Sequence, residues 1–186
     1  MAAAQDSPVP TFGTTVVLSS GLQGEIYFIH HNTQDLPDLK KRKPVGVIYT
    51  TRLNVPPQDF KVGFPGLTNR FEWFAIEYTG KFWIDDPGLY GFSLMADDGA
   101  QLFIDDRIVI DNGGSHPPLI KEGSVNLAAG LHRMRVPYFQ GPRFLVALVL
   151  KVARPGQRDF KVFDTSDFKP SKDLDSWPKQ PTAPQG

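Results

Sequence analysis

GLYGFSLMADDGAQLFIDDRIVI, residues 88–110, decides how the rest of the chain is read. Tyr90, Phe92, Leu94 and Ala96 alternate with Gly91, Ser93 and Met95, and a period of two puts each set on its own face of a strand. The alternation resumes after Asp97-Asp98-Gly99 in Leu102 and Ile104, and after Asp105-Asp106 in Ile108 and Ile110. Asp-Gly between alternating apolar runs is a strong hairpin signal, because the turn that matches strand twist needs positive φ. A hairpin turn at Asp98-Gly99 is therefore expected.

The same pattern extends in both directions. Thr14–Ser20, Leu22–Ile29, Val45–Leu53 and Arg70–Gly80, continued by Lys81–Ile84, read as strands upstream. Downstream, Leu119–Leu127 and Gly130–Phe139 follow, then the strongly apolar Arg143–Ala153 as a central strand, then Phe160–Phe163 as a short last one. Pro137 cannot donate a ladder bond, which predicts a strand end or sheet edge there. Asn54–Asn69, with three prolines and two glycines, reads as an irregular connection. Around Trp73 both faces are apolar: Phe71, Trp73 and Ala75 on one, Phe74, Ile76 and Tyr78 on the other. Such a strand needs cover on both sides, from a second sheet and from a loop or partner. No stretch carries helical periodicity. Short strands at regular spacing, with turn residues between them, predict an all-β fold, an antiparallel β-sandwich. The expected organisation is an N-terminal leader or arm over 1–13, the sandwich over 14–163, and a Pro-rich C-terminal arm over 164–186 whose anchors are Phe168 and Trp177.

Composition narrows the function classes. Twenty basic residues balance twenty acidic ones, so no net field draws nucleic acid or an anionic membrane, and none opposes self-association. The Lys/Arg run at 40–43 has no interleaved aromatics and reads as a solvated loop face. Without cysteine there is no disulfide or thiolate chemistry. No apolar run is long enough to insert across a bilayer. Ala2-Ala3-Ala4 admits two readings, the small-residue end of a cleaved signal or an unstructured leader. His30 and His31 are adjacent, so on an extended chain their rings point apart and are poorly placed to share a metal. Glycoside hydrolysis needs two carboxylates facing each other across a cleft, whereas the aspartates here fall at turns. Ser115-His116 lacks an identifiable acidic partner, and no nucleophile elbow or phosphate loop occurs. A non-enzyme is expected.

YTGKFWIDDPGLYGFSLMADDGAQLFIDDRIVID, residues 78–111, resembles the central signature of the PA-fourteen domain: an aromatic strand, Gly-x-Tyr-x-Phe, Asp-Asp-Gly, then Leu-x-Ile-Asp. VNLAAGLHRMRVPYFQ, residues 125–140, resembles that family's following strand, and the likeness covers roughly Gly21 to Ala153. It implies a jelly-roll-like sandwich of the PA-fourteen type, outside the cell or on its surface, acting as a carbohydrate or cell-surface glycan recognition or adhesion module. In the sugar-binding branch of that family, adjacent aspartates joined by a cis peptide hold a calcium ion that grips sugar hydroxyls. The matching positions are Asp97 and Asp98, with Gln140 as a further oxygen ligand; the branch's Asn and longer loop after the matching Tyr138 are missing. The competing expectation is a self-associating structural subunit or a protein–protein interaction domain of a surface assembly.

Overall fold

The computed structural model describes residues 21–67, 70–142 and 144–170. It is an antiparallel β-sandwich built from β1 (Leu22–Phe28), β2 (Gly46–Thr50), β3 (Asn54–Asp59), β4 (Phe74–Ile84), β5 (Gly88–Asp97), β6 (Ala100–Ile104), β7 (Arg107–Asn112), β8 (Leu119–Leu127), β9 (Gly130–Gln140), β10 (Leu145–Ala153) and β11 (Lys161–Val162). One sheet has the order β2-β1-β4-β9-β6-β7. The other has the order β11-β10-β5-β8, with β3 also on β10. Short 3-10 turns at Phe60–Val62 and Thr165–Asp167 are the helical elements among the described residues, and no helix there is long and apolar enough to cross a membrane.

The alternation seen in the sequence places the core. Tyr90, Phe92, Leu94 and Ala96 of β5 face Phe74, Ile76, Tyr78 and Phe82 of β4 and Met134, Val136 and Tyr138 of β9, all essentially buried. Each large apolar side chain sealed there contributes about 1.5–3 kcal/mol. Gly123 of β8 marks where the rims of the two sheets touch: a Cβ there would run into the Val109 carbonyl of β7.

Asp98-Gly99 is not a hairpin turn. It carries the chain from β5 in one sheet to β6 in the other, since β5 pairs with β8 and β10 while β6 pairs with β7 and β9. Gly99 is needed for space rather than for positive φ: its Cβ would lie 2.6 Å from the Phe139 ring and 2.8 Å from the Gly114 carbonyl. The tight hairpin is one step later. Asp105 (φ 48°) and Asp106 (φ 64°) both take the left-handed conformation between β6 and β7, the geometry that matches strand twist.

Two expectations about proline are also corrected. Pro137 lies inside β9, an interior strand, where it pairs with Glu77 of β4. The β6 ladder makes no pair at Gln101 and Leu102, so the missing N–H is absorbed by a local interruption. Pro56 and Pro57 sit in a real strand, β3, which pairs irregularly with β10 at an edge, where a lost donor is tolerated.

The doubly apolar strand is covered on both sides. Beyond the sandwich core, Ala75 of β4 and Phe139 of β9 meet Tyr27, Ile29, Trp73, Leu36 and Leu39, so the loop after β1 seals that half of the outer face. Trp73 joins this cluster from just before β4, in a positive-φ conformation, rather than from within the strand. Phe168 is 5% exposed, stacks on Phe163 at 4.9 Å and has the Arg154 guanidinium 4.6 Å from its ring centroid, so it anchors its own fold and is no free contact for a second molecule. Trp177 and the strand expected at Thr14–Ser20 lie outside the described residues.

Candidate functional site

Asp97, Asp98 and Gln140 come together where β5 leaves one sheet and β9 ends in the other. The Asp97–Asp98 peptide is cis. Asp98 is 4% exposed, and both its oxygens are occupied. Oδ1 accepts from the Ser115 hydroxyl at 2.7 Å and the His116 N–H at 3.1 Å. Oδ2 accepts from the Gly141 N–H at 2.6 Å and the Gln140 amide at 3.5 Å. Glycine at 141 permits that approach, because a Cβ would stand 3.0 Å from Oδ2. Gln140 turns its oxygen to the Tyr138 hydroxyl at 2.7 Å and donates to the Leu145 carbonyl at 3.0 Å.

Ser115 thus has an acidic partner, contrary to the sequence reading, but not a catalytic one. The His116 ring nitrogens face the carbonyls of Pro117 at 2.9 Å and Asn112 at 3.2 Å, so the imidazole is not placed to take the Ser115 proton. His30 and His31 are exposed, and the His31 ring lies 5.5 Å from that of Trp73.

Calcium takes about six to eight oxygens. Here four donors fill the lone pairs of Asp98, the Gln140 oxygen faces a hydroxyl, and among the described residues no group of three or more His, Cys, Asp or Glu is placed to hold a metal. This donor set does not fit a calcium cage. It fits a hydrogen-bonded corner that ties the β5–β6 crossing to the loops before β8 and after β9.

Asp97 carries the electrostatic cost of that corner. Burial, then the neighbouring Asp98 charge, push its pKa up to about 7, against the Gln140 hydrogen bond and His116. An acid whose pKa rises on folding stabilises the fold fully below its unfolded pKa near 4, and loses that contribution as pH climbs through about 7. Asp97→Asn should remove this slope and raise neutral-pH stability by about 1–2 kcal/mol, a figure discounted for residual solvent screening. Urea midpoints at pH 5 and pH 8 check it; a variant with the wild-type pH slope would contradict the assignment.

A second place is better shaped for a ligand. The strand register lines up Tyr49, Gln23, Thr79, Arg135 and Phe103 in one row across the outer face of the six-stranded sheet. The next rungs add Lys81 beside Arg133 and Trp83 beside Leu131. These residues line a groove of about 850 Å³, walled at one end by Phe168, Lys169 and Pro170. Tyr49 is 75% exposed. The Arg135 guanidinium sits 3.8 Å from the Phe103 ring centroid and 3.0 Å from Glu77, which fixes the floor. Sequence reasoning missed this groove. The period-two pattern marks its residues as outward-facing, but only the pairing register makes them neighbours.

The family model of the PA14 domain matches residues 18–165. Among solved structures, the PA14 domain of the MpAFP antifreeze protein superposes with TM-score 0.66 at 15% identity, covering 88% of this chain and 94% of that one. A PA14 sugar-binding domain from an RTX adhesin gives 0.63 at 16% identity, covering 78% and 96%. An anti-sigma factor domain-containing protein gives 0.64 at 21% identity over 82% of this chain, which spans about half (49%) of that protein's length. No curated protein matches the chain. By its fold and by the family match over most of its length, the chain belongs to the PA14 domain family.

Proposed function

We infer that this chain is a non-catalytic carbohydrate-recognition module that works outside the cell and binds its glycan without calcium. The groove on the outer sheet face carries the reading. Tyr49 and Trp83 give ring surface for sugar stacking, and Gln23 and Thr79 give hydrogen-bonding groups on the floor between them. Among the described residues one carboxylate, Asp106, lines the groove, whereas glycoside hydrolysis uses two. The structural relatives add support: the RTX adhesin domain is described as sugar-binding, and an epithelial adhesin A domain from Candida glabrata was solved with Galβ1-3GlcNAc.

Glycan-array screening followed by calorimetry tests this. A retained oligosaccharide should bind equally in calcium and in chelator, and Tyr49→Ala should weaken it about tenfold without shifting thermal stability, since the Tyr49 side chain stands mostly in solvent. No retained glycan, or binding untouched by Tyr49→Ala, would overturn the reading.

A further inference from the structure

We propose that the groove takes an acidic glycan, one whose sugar rings carry carboxylates. The inference rests on the carbohydrate reading and goes further by naming the ligand class. Its basis is a local charge imbalance in a chain whose net charge is +0. Among the described residues, Lys81, Arg133, Arg135 and Lys169 line the groove against one acid, Asp106. Arg135 is committed to Glu77 and to the Phe103 ring. Arg133 reaches Asp106 at 2.6 Å, but both side chains stand largely in solvent, so a ligand carboxylate competes for that guanidinium with little to displace. Lys81 and Lys169 are exposed and make no ion pair among the described residues.

The strand register places Lys81 directly opposite Arg133, two residues along from the Thr79–Arg135 pair that continues the row from Tyr49. The cations stand two residues along from the row that starts at Tyr49, and two strands (Lys81) or three strands (Arg133) across from it, so at a strand rise of about 3.3 Å and a strand spacing of about 4.8 Å they lie roughly 12 Å and 16 Å from Tyr49. A short oligosaccharide, longer than a pair of rings, spans that distance, so one ring stacks at Tyr49 while a carboxylate farther along the same chain meets Lys81 and Arg133. Arginine's planar fork suits a carboxylate, and lysine adds a point charge. The half of the outer face beyond Glu25 and Glu77 is sealed by the loop carrying Leu36 and Leu39, so the ligand runs along the open half, toward Trp83 and Leu131.

The test titrates the whole chain with a galacturonic-acid tetramer, a neutral galactose tetramer and poly-glutamate. The acidic sugar should bind at least tenfold more tightly than the neutral one. That binding should weaken with salt. It should fall at least tenfold in the Lys81→Glu, Arg133→Glu double variant and in Tyr49→Ala, both with unchanged thermal stability. If the neutral sugar binds as well as the acidic one and depends on Tyr49, the carbohydrate reading stands and the acidic ligand falls. If neither sugar binds while the array retains another neutral glycan, the acidic ligand alone falls; if the array retains none, both fall. Poly-glutamate binding as tightly as the uronate, or uronate binding indifferent to Tyr49→Ala, reduces the groove to bare charge attraction and also overturns the proposal.

Discussion

Asp98→Ala should cost about 3–5 kcal/mol of folding stability. The substitution leaves the Ser115 hydroxyl and the His116 and Gly141 N–H groups without their acceptor, two of those bonds being 2.7 Å or shorter. A hydrogen bond to a charged group is worth roughly 1.5–3 kcal/mol, and stranded buried donors add their own desolvation. The loss should appear as a lower denaturant midpoint with an unchanged slope, and millimolar calcium should not move the wild-type midpoint. A loss under 1 kcal/mol would show that the corner is not held by this carboxylate. A calcium-dependent rise of the wild-type midpoint, absent in the variant, would restore the metal reading.

Gly123→Ala should cost about 3 kcal/mol, the upper end of what overpacking typically costs. The new methyl group would overlap the backbone carbonyl of Val109 and press on Ile110, so β7 and β8 must separate where the two sheets meet. Backbone cannot rotate aside as a flexible side chain can, and forced overpacking costs typically 1–3 kcal/mol, occasionally more. Gly156→Ala is the control: φ is 76° but nothing stands within 4 Å of the new methyl, leaving backbone strain alone, about 1 kcal/mol. Thermal melts of the pair decide it. Equal melting temperatures would mean that the sheets do not close at Gly123.

The strands were legible because their period is local. β5, β8, β9 and β10 fall within a residue or two of their expected bounds. What joins them was not. Asp98-Gly99 carries the composition of a hairpin, yet long-range partners pull its two strands into different sheets. Pro137 and the Pro56-Pro57 pair were misjudged for the same reason, since a proline's tolerance depends on which neighbour lacks a bond at that residue. At the corner, the residues Asp97, Asp98 and Gln140 were foreseen as one cluster, and the structure brings them together. Their saturation by Ser115, His116 and Gly141 could not be foreseen, because those donors arrive from distant loops. The apolar second face of β4 was read correctly as needing cover, and the chain's own loop supplies it, which removes one argument for self-association.

The strand order governs how the chain reaches this state. β4 lies between β1 and β9, and residues 85–129 must be traversed before β9 exists to pair with it. β5 waits longer for β10. The β6–β7 hairpin has only the Asp105-Asp106 turn to close, while most other ladders close large loops before any contact compensates them. Chains of this topology fold in milliseconds to seconds rather than microseconds. During synthesis, β4 and β5 leave the ribosome with apolar faces bare until the last third of the sandwich follows, and that interval is when the nascent chain is most exposed to aggregation.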